Sequence, residues 1–482
     1  MTAERLVCDV FVLGAGPAGM AAAAAAREKG ASVVCADLFA QAGGQYHMQP
    51  PSPDSVFNQS AQVVQGRAAE QQCQELGVRF LTQTEVFWAE PGFTVFANQM
   101  GEAMVIEAGA IVVASGAMER ALPFKGWTLP GVMTAGGAQR LIKSNNTSPG
   151  KNVVLAGSGP FLLAVANTFG TAGLKLHSYI EMQAPRLSAL SLLVNNPGRI
   201  REAIGLVRGL RRSGAKVLTR HQVIEAIGTD RLEAVRIAPL DASGRPCMQE
   251  ACTIEGVDTL CVGYGFQPVI DLTSLLRAEH QFDNALGGWI CRVDRTQATT
   301  VKGLFAAGET TGIGGSVPAR LSGRIAGIHA AQATARSSDN TELVQLYKKL
   351  DHARRFAAGL AELFPFPSCL VDQLDATEIL CRCEDVAVAD IEDAITEGAA
   401  DVFSVKMWTR AGMGPCQGRI CGAALSALIA RRLNRSTSDS GFNRLHMPLR
   451  PVPLKVVDDA LSVALETTPS NNQSTTHHFK TE

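Results

Sequence analysis

The chain has 482 residues, and 46% of them are apolar. Since a single hydrophobic core stops growing at roughly 250–300 residues, we expect two or more domains. The 44 basic and 45 acidic residues leave a formal net charge of -1. This balance offers no basic field for a phosphate backbone and argues against nucleic acid as a partner.

The N-terminal segment MTAERLVCDVFVLGAGPAG lacks the basic start of a secretory signal. The sequence contains no run of about 20 uncharged apolar residues, so it predicts no transmembrane helix. Without export, the 12 cysteines are expected to be reduced thiols or metal ligands rather than a disulfide framework. The sequence therefore favours a cytoplasmic protein.

The N-terminal residues predict a strand–turn–helix–strand unit. An apolar strand over Cys8–Leu13 is followed by GAGPAG at residues 14–19, a helix over Met20–Lys29 and a second strand over Ala31–Ala36. Asp37 ends that strand, where its carboxylate can accept hydrogen bonds from both hydroxyls of a ribose. Because a glycine-rich turn binds dinucleotides in this context, we predict a dinucleotide site rather than a fortuitous turn.

Each residue type in the turn has a physical reason. Gly14 permits the tight turn, Gly16 lets the backbone approach a pyrophosphate, and Gly19 lets the helix pack closely on the strand. Pro17 and Ala18 complete the motif. The diphosphate is expected at the helix N-terminus, where free N–H groups and the helix dipole favour anions.

Three further segments favour FAD over NAD as the dinucleotide. They look like the glycine pair after the ribose acid, the ATG strand end and the second FAD motif of flavoproteins with two dinucleotide-binding domains. The residues are Gly43, Gly44 and Gln45, then Ser115 and Gly116, and finally Gly308 and Glu309. Ser115 replaces the usual Thr and Glu309 the commoner Asp. The alternative for Glu309 is a surface carboxylate.

The same pattern returns after residue 150, which predicts an internal duplication. The turn here is GSGP, with Gly157 and Gly159 in place and Leu162 where the third glycine would stand. Glu181 ends the following strand and can meet a ribose. A working NAD(H) site remains open, but we favour a vestigial, structural or otherwise occupied fold because Leu162 sets the helix further from the strand.

Dithiol exchange is not the expected chemistry, because the chain contains no CxxC pair to lie against a flavin. His47, directly after the glycine pair, is expected in a solvated loop, with a place near flavin as the alternative. Eight cysteines are mostly isolated in apolar surroundings and are expected to be buried, inert thiols: Cys8, Cys35, Cys73, Cys247, Cys252, Cys261, Cys291 and Cys369.

Four other cysteines form two close pairs, Cys381 with Cys383 and Cys416 with Cys421. Two pairs that turn back onto one centre can bind an iron–sulfur cluster or a tetrahedral metal. We predict a [2Fe-2S] cluster, because zinc sites more often use CxxC knuckles and an electron carrier has an evident use beside a flavin. Structural zinc and uncoordinated thiols remain the alternatives.

The segment between the two cysteine pairs predicts two short helices separated near Gly398. Gly418 and Gly422 are expected to let backbone N–H groups approach the sulfides. Beyond residue 433 an arm containing PLRPVPL leads to the C-terminal tail. The last dozen or so residues are expected to be disordered, with an ordered arm that clasps a partner as the alternative.

The predicted fold class is α/β: a flavoprotein with two dinucleotide-binding, Rossmann-like domains and a small helical [2Fe-2S] domain. The expected domains are the first part of the FAD-binding domain (1–145), the second nucleotide-binding domain (146–270), the completion of the FAD-binding domain (271–345), a helical linker (346–373), the cluster domain (374–433), and an arm with a partly disordered tail (434–482).

CRCEDV and KMWTRAGMGPCQGRIC resemble the [2Fe-2S] domain, similar to bacterioferritin-associated ferredoxin, that is fused to the α subunits of heteromeric amine dehydrogenases. SGAMERALPFKGWTLPGV, VGYGFQP and AAGETTGIGGS look like further segments of that family, in family order. The family includes opine (octopine and nopaline) oxidases, D-hydroxyproline dehydrogenase and hydrogen cyanide synthase. One departure is Leu38, where relatives often have a second acid.

The resemblance implies that Cys381, Cys383, Cys416 and Cys421 are cluster ligands, and that the turn at residues 14–19 binds nucleotide together with Asp37 and Glu309. It implies a partner β subunit of the amino-acid-oxidase type, whose own FAD oxidises the amine, with a small third subunit as an option. FMN can lie between the subunits. Electrons would then pass through this chain to a respiratory acceptor, in the cytoplasm or at the inner membrane through the complex.

We therefore expect the α subunit of a flavin-dependent amine dehydrogenase that acts on an opine, or on an imino or amino acid such as D-hydroxyproline. The rival enzyme is a self-sufficient NAD(P)H-dependent flavin and iron–sulfur reductase, which the GSGP turn suggests. The non-enzymatic alternative is a nucleotide-binding scaffold that stabilises the β subunit. The sequence identifies no catalytic residue for amine oxidation in this chain.

Overall fold

The computed structural model describes residues 4–184, 192, 194, 196–334 and 341–465. The strands are β1 (Glu4–Leu13), β2 (Val33–Ala36), β3 (Arg79–Leu81), β4 (Thr84–Ala89), β5 (Thr94–Gln99), β6 (Glu102–Val113), β7 (Ala117–Glu119), β8 (Val132–Thr134), β9 (Val153–Gly157), β10 (Ser178–Glu181), β11 (Lys216–Thr219), β12 (His221–Ile227), β13 (Ala234–Pro239), β14 (Cys252–Glu255), β15 (Thr259–Gly263), β16 (Phe266–Pro268), β17 (His280–Asp283), β18 (Gly288–Cys291), β19 (Leu304–Ala306), β20 (Ile379–Cys381) and β21 (Val386–Ala387).

The α-helices are α1 (Pro17–Glu28), α2 (Ala61–Glu75), α3 (Ala135–Asn145), α4 (Pro160–Thr171), α5 (Ile200–Ser213), α6 (Asp271–Leu275), α7 (Ser316–Ala333), α8 (Leu343–Leu363), α9 (Val388–Thr396), α10 (Val402–Thr409), α11 (Gly422–Arg432), α12 (Thr437–Ser440) and α13 (Leu454–Leu465). Short 3-10 turns lie at Pro197–Arg199, Met248–Glu250, Gly308–Thr311 and Ser368–Gln373.

The first sheet has the order β3-β2-β1-β6-β5-β4, and β19 also pairs with β6. β1 lies parallel to β2 and β6, and β19 lies parallel to β6. The carboxyl ends of these parallel strands therefore meet at one edge of the sheet, which is where ligands bind in such folds. That edge carries the turn at residues 14–19, Asp37, Ser115 and Gly308.

Helices α1 and α7 cover one face of the first sheet and contact each other backbone to backbone. A Cβ at Gly323 would lie 2.0 Å from the carbonyl oxygen of Ala18, and one at Gly327 would lie 2.1 Å from that of Ala22. The alanine run of α1 has the same cause, because larger side chains would push α1 away from both the sheet and α7.

The second sheet has the order β11-β10-β9-β15-β8, and all its strand pairs are parallel. Since β8 pairs with β15 and α3 follows β8, this unit begins before residue 146, the start expected from the sequence. The three residues of β8 are too few to show a strand periodicity, and only the pairing assigns them to this sheet. An antiparallel ribbon of β7 and β16 joins the two nucleotide units.

The four-cysteine domain, residues 374–433, consists of the β20–β21 hairpin and helices α9, α10 and α11. Its two first helices are separated at Gly398, as predicted. Its core continues into the second nucleotide unit through Leu122, Met182 and Tyr264. The indole Nε1 of Trp127 donates a hydrogen bond to the Ile379 carbonyl oxygen at 2.7 Å and fixes this domain to the segment after β7.

The C-terminal arm returns to the first sheet. Val456 and Ala460 of α13 are buried against Phe87 and Phe96 of the β4–β5 hairpin. The C-terminal tail, whose last dozen residues were expected to be disordered, lies outside the described residues. Within the ranges that the structure covers, no helix combines the length and hydropathy that a bilayer span requires.

The contact between α1 and α7 predicts that Gly323→Ala lowers the free energy of unfolding by about 1–3 kcal/mol, because the new methyl group must displace the Ala18 carbonyl. Chemical denaturation of the purified chain measures this. Gly205→Ala on α5 is the matched control: nothing lies within 4 Å of its added Cβ, so a gain of up to about 1 kcal/mol is expected from helix propensity. Equal effects of the two substitutions would contradict the close contact.

Candidate flavin site and four-cysteine cavity

The three glycines of the first turn are not all required by the packing of the protein. A Cβ at Gly14 would lie 2.3 Å from the Ala114 carbonyl oxygen, and one at Gly19 would lie 1.6 Å from that of Gly14. The protein's own packing therefore excludes side chains at both. At Gly16 an added Cβ would meet only the Gly44 Cα, at 4.0 Å, and φ is an ordinary -75°. Packing does not require glycine there, which fits a backbone left bare for a ligand.

The N-terminus of α1 is suited to an anion. Its cap residue, Gly16, makes no side-chain cap hydrogen bond, Pro17 occupies the first turn, and that turn carries no acidic residue. The amide groups of the helix start are thus not covered by a carboxylate of α1 itself. Such a terminus attracts phosphate through its N–H groups and dipole.

Asp37 lies at the end of β2 and is 7% exposed. Its Oδ2 accepts a hydrogen bond from the Ala15 amide at 2.6 Å, and its Oδ1 accepts one from the Phe39 amide at 2.8 Å. Burial raises the pKa of Asp37, and these two amide donors partly offset that rise. The carboxylate is therefore held rigidly beside the first turn, where a ribose is expected.

The glycine pair after Asp37 packs directly on the first turn. The Gly43 amide donates to the Ala15 carbonyl oxygen at 2.8 Å, and a Cβ at Gly44 would lie 2.9 Å from the Gly16 Cα. Both glycines have positive φ, at 128° and 58°. Gln45 is exposed at the end of this turn.

The other flavin motifs converge on the same edge. A Cβ at Gly308 would lie 2.7 Å from the Cβ of Ala18, so the second motif touches the first. The Ser115 hydroxyl donates to the Val269 carbonyl oxygen at 2.7 Å and lies 3.2 Å from the Thr310 hydroxyl. Gly116 follows with φ 76°.

Glu309 is not a free surface carboxylate. Its Oε1 accepts hydrogen bonds from the Gly315 amide at 2.7 Å and from the Gly314 amide at 3.3 Å. Gly315 is the N-cap residue of α7, so the carboxylate lies at that helix N-terminus. Burial raises the pKa of Glu309, and the two amide donors act in the opposite direction.

In the second unit, Gly263 on the neighbouring strand β15 makes room for Leu162, which stands at the third glycine position. A Cβ at Gly263 of β15 would lie 3.1 Å from the Leu162 Cδ2, so the missing side chain of Gly263 makes room for Leu162. Gly157 is required because a Cβ there would lie 1.9 Å from the Gly263 carbonyl oxygen. Gly159 has φ 117° and opens α4.

Two carboxylates, one buried and one partly buried, lie at the carboxyl edge of the second sheet. Glu181 accepts hydrogen bonds from the amides of Gly159 at 3.2 Å and Gln183 at 3.0 Å. Burial raises its pKa to about 7. Glu119 accepts from the Gly136 amide at 2.8 Å near the start of α3, and burial raises its pKa as well. The sequence drew no attention to Glu119.

The four cysteines of the two pairs line one cavity of about 230 Å³ together with Arg382 and Ile420. Cys381 and Cys421 are buried, Cys416 is partly buried and Cys383 is exposed. Their thiols hydrogen-bond in two pairs, Cys381 with Cys421 and Cys383 with Cys416. Across the described residues, no set of three or more Cys, His, Asp or Glu side chains has a metal-binding arrangement. The cluster thus stays a prediction.

The buried thiol pair is strongly polarised. The Cys421 thiol donates to Cys381 and lowers the pKa of Cys381 to about 5, while the pKa of Cys421 is raised. The Gly412 amide also donates to the Cys381 sulfur at 3.4 Å. A lowered pKa favours the thiolate, which is the form of cysteine that binds metals.

That the backbone N–H groups at Gly418 and Gly422 approach cluster sulfides stays a prediction, and the two glycines differ in their surroundings. A Cβ at Gly418 would lie 2.3 Å from the side-chain amide nitrogen of Asn443, and one at Gly422 would meet nothing within 4 Å. Asn443 donates to the carbonyl oxygens of Gly412 at 3.1 Å and Gln417 at 2.6 Å. It thereby links the loop before the second cysteine pair to the loop within it, a role that no motif indicates.

The prediction of a solvated loop for His47 is wrong. His47 is 5% exposed and its Nδ1 lies 2.6 Å from the Gln62 carbonyl oxygen. It fits between Gly43 and Gly66, since a Cβ at either glycine would lie less than 3.0 Å from His47. Burial lowers its pKa.

The isolated cysteines divide into two groups. Cys8, Cys35, Cys73, Cys261 and Cys291 are buried. Burial raises the pKa of Cys8, Cys73 and Cys291 to about 12, which agrees with inert thiols. Cys252 is exposed on the edge strand β14 and Cys247 is partly exposed, contrary to expectation. The side chain of Cys369 lies outside the described residues.

Residues 8–335 match the pyridine nucleotide-disulphide oxidoreductase family, and residues 377–460 match the sarcosine oxidase A3 domain. Hydrogen cyanide synthase subunit HcnB of Pseudomonas aeruginosa is 31% identical over 92% of this chain and 96% of its own length. The A subunit of opine oxidase from Agrobacterium tumefaciens is 32% identical over 92% of this chain and 90% of its own length.

The chain belongs to the family of hydrogen cyanide synthase subunit HcnB and the A subunit of opine oxidase. It is thus an oxidoreductase of the flavoprotein class, and the predicted family is confirmed. The α subunit of sarcosine oxidase from Corynebacterium sp. (strain P-1) is a more distant relative, 26% identical over 92% of this chain and 44% of its own length.

A solved structure supports the predicted two-nucleotide-domain fold. L-proline dehydrogenase from P. horikoshii superposes with a TM-score of 0.68 over 94% of this chain and 80% of that chain, at 19% identity. At this level of identity the likeness concerns the fold alone.

The burial of Glu181 predicts a pH dependence of stability. Its pKa is about 7 in the folded chain against an ordinary value of 4.5, so between these values the unfolded chain releases a proton that the folded chain keeps. The free energy of unfolding therefore falls as pH rises through this window. Glu181→Gln removes that fall, so relative to wild type it gains about 1–3 kcal/mol between pH 5 and pH 8.

Urea unfolding at several pH values measures this difference. Glu202→Gln on the exposed side of α5 makes the same charge change on the surface and is the control. Parallel pH profiles of wild type and Glu181→Gln would contradict the assigned shift.

Proposed function

We propose that this chain is the electron-transfer α subunit of a heteromeric flavin-dependent amine dehydrogenase. The observation that carries the proposal is the pairing, in one chain, of a first turn shaped for a dinucleotide with a cavity lined by four thiols. The family membership supports it, since the relatives are named as subunits of oxidases and of a synthase.

At the first site, FAD is the nucleotide that the residues fit. Gly16 and the start of α1 would receive its pyrophosphate, and Asp37 would receive a ribose. Ser115, Gly308 and Glu309 lie along the same edge of the sheet, on the side where the remainder of the molecule would extend. The bare Gly16 backbone and the uncapped helix start support this assignment.

At the second site, the donor set fits a [2Fe-2S] cluster held by Cys381, Cys383, Cys416 and Cys421. All four thiols face one cavity, and an amide group donates to Cys381 as amides do around cluster sulfurs. Each hydrogen-bonded pair would give up its shared protons on binding. The same thiols suit zinc, so metal analysis must separate the two.

When bound, a flavin accepts an electron pair and a [2Fe-2S] cluster carries single electrons, so together they divide the pair into two steps. The residues of this chain would hold both groups in a fixed frame. Trp127 joins the two units through its hydrogen bond to Ile379, and the Arg382 guanidinium lies 5.2 Å above the Trp127 ring.

The substrate class is an opine, or an imino or amino acid such as D-hydroxyproline, oxidised on a β subunit of the amino-acid-oxidase type. FMN between the subunits and a small third subunit are part of this proposal. The electron acceptor would be respiratory, with the complex in the cytoplasm or peripheral to the inner membrane. Names of relatives, such as that of the opine oxidase, support this class without selecting one amine.

The second nucleotide fold favours a structural role over NAD(P)H binding. The features that favour this role are Leu162 at the third glycine position and the partly buried Glu119 near the start of α3. A carboxylate near a diphosphate repels it wherever it is ionised. This arrangement speaks against the self-sufficient reductase.

The cluster assignment predicts that chain produced with iron and sulfur supplied contains roughly two irons and two acid-labile sulfides per chain. Cys381→Ala should lose most of both, because it removes a buried ligand. Cys252→Ser, an exposed cysteine outside the cavity, is the matched control and should keep them. Iron and sulfide analysis with absorbance spectra measures this. Zinc at one per chain, with no iron, would contradict the electron-transfer role.

Because the amine is proposed to be oxidised on the β subunit, flavin reduction should differ between the isolated chain and the complex. Flavin bound to the isolated chain should not be reduced by an opine, by D-hydroxyproline or by NADH within the time of catalysis. After addition of the β subunit, one amine of this class should reduce it. Anaerobic stopped-flow absorbance measures both. Rapid reduction of the isolated chain by NADH would favour the reductase, and rapid reduction by an amine would place the substrate site here.

A further inference from the structure

A second cavity, of about 370 Å³, lies between the nucleotide units and the four-cysteine domain. Its walls come from the β7–β16 ribbon, the β17–β18 hairpin, helix α11 and the segment after it. This size is in the range of pockets that hold small ligands. None of the flavin motifs and none of the four paired cysteines lines it.

Arg120 is the distinctive residue of this cavity. It is 6% exposed, and its guanidinium carbon lies 3.9 Å above the centre of the Phe366 ring. One terminal nitrogen donates a long hydrogen bond to the Phe266 carbonyl oxygen, at 3.4 Å, and its Nε has no acceptor among the described residues. Burial lowers its pKa to about 10, with no contribution from an acidic neighbour.

A buried cation without a counter-ion is costly, because desolvation is not repaid by a charged partner. In the described part of the chain, no carboxylate forms an ion pair with Arg120. The carboxylate in the cavity wall is Asp271, and Arg419 already pairs with it at 2.7 Å. The protein therefore holds a positive charge ready for a partner that its own described residues do not supply.

Other unused donors line the same cavity. The indole Nε1 of Trp289 and the Nε and Nη2 atoms of Arg435 are buried without acceptors. Arg435 also lies close enough to Asp401 to lower the pKa of that carboxyl. One acceptor, the Oε1 atom of Gln417, is likewise unpaired. Unpaired donors thus outnumber unpaired acceptors around this space, which favours an anion over a cation.

We propose that this cavity binds a small molecule through its oxyanion, a carboxylate or a phosphate group, with Arg120 as the principal contact. A guanidinium matches both groups because it offers parallel N–H donors to two oxygens. Trp289 and Arg435 supply further donors, and the Phe366 ring lies against the Arg120 guanidinium. The inference is independent of whether the cysteines bind iron.

The test uses the purified full chain, dialysed into chloride buffer and titrated calorimetrically with inorganic phosphate or with succinate at constant ionic strength. Arg120→Met keeps a long apolar side chain against Phe366 but removes the charge and the donors. It should weaken binding by roughly tenfold or more, the loss expected for a charge-assisted hydrogen bond. Arg120→Lys, which keeps the charge but not the fork, should fall between wild type and Arg120→Met.

Arg292→Met is the matched control, since Arg292 directly follows β18 but is exposed and paired with Glu279 at 2.9 Å. It should bind the anions as wild type does. Tighter binding of phosphate would identify a phosphorylated ligand, tighter binding of succinate a carboxylic acid, and either supports the proposal. No binding by wild type, or equal binding by wild type and Arg120→Met, would overturn it. Iron and flavin analysis of the same samples separates this result from the fate of the proposed function.

Discussion

The structure depends on one close contact, in which helix α1 lies between the first sheet and α7 with backbone against backbone. Gly19 against the Gly14 carbonyl and Gly323 against the Ala18 carbonyl leave no space for side chains. Because α1 cannot move outward, its N-terminus is fixed at the edge where β1, β2, β6 and β19 end. The nucleotide site is therefore a product of packing as much as of the residues that would contact the ligand.

The segment from β7 to Trp127 connects the other parts to this frame. Glu119 caps the start of α3 in the second unit, Arg120 enters the cavity beside the four-cysteine domain, and Trp127 binds that domain through Ile379. One short stretch thus contacts three regions of the molecule. A change in its path would alter the second sheet, the Arg120 cavity and the four-cysteine domain together.

Local rules explain what could be predicted from the sequence. The first turn, its helix and Asp37 follow from glycine spacing and apolar runs, which act over a few residues. The assignment of β8, the burial of His47 and the room for Leu162 depend on partners distant in sequence, namely β15, Gly66 and Gly263. The sequence could not predict that Arg120 lacks an ion-pair partner among the described residues, because this depends on which distant carboxylates the fold brings near it.

The course of the chain around the four-cysteine domain limits how that domain can work. It is entered through α8 and left through the arm whose helix α13 is buried against the β4–β5 hairpin. Both of its ends are tied to the nucleotide units and Trp127 is hydrogen-bonded to Ile379 between them, so the domain is held in place rather than attached by a free tether. In the proposed electron relay, an external electron acceptor would therefore have to dock on this domain, and the exposed Cys383 lies on the accessible side of the cavity.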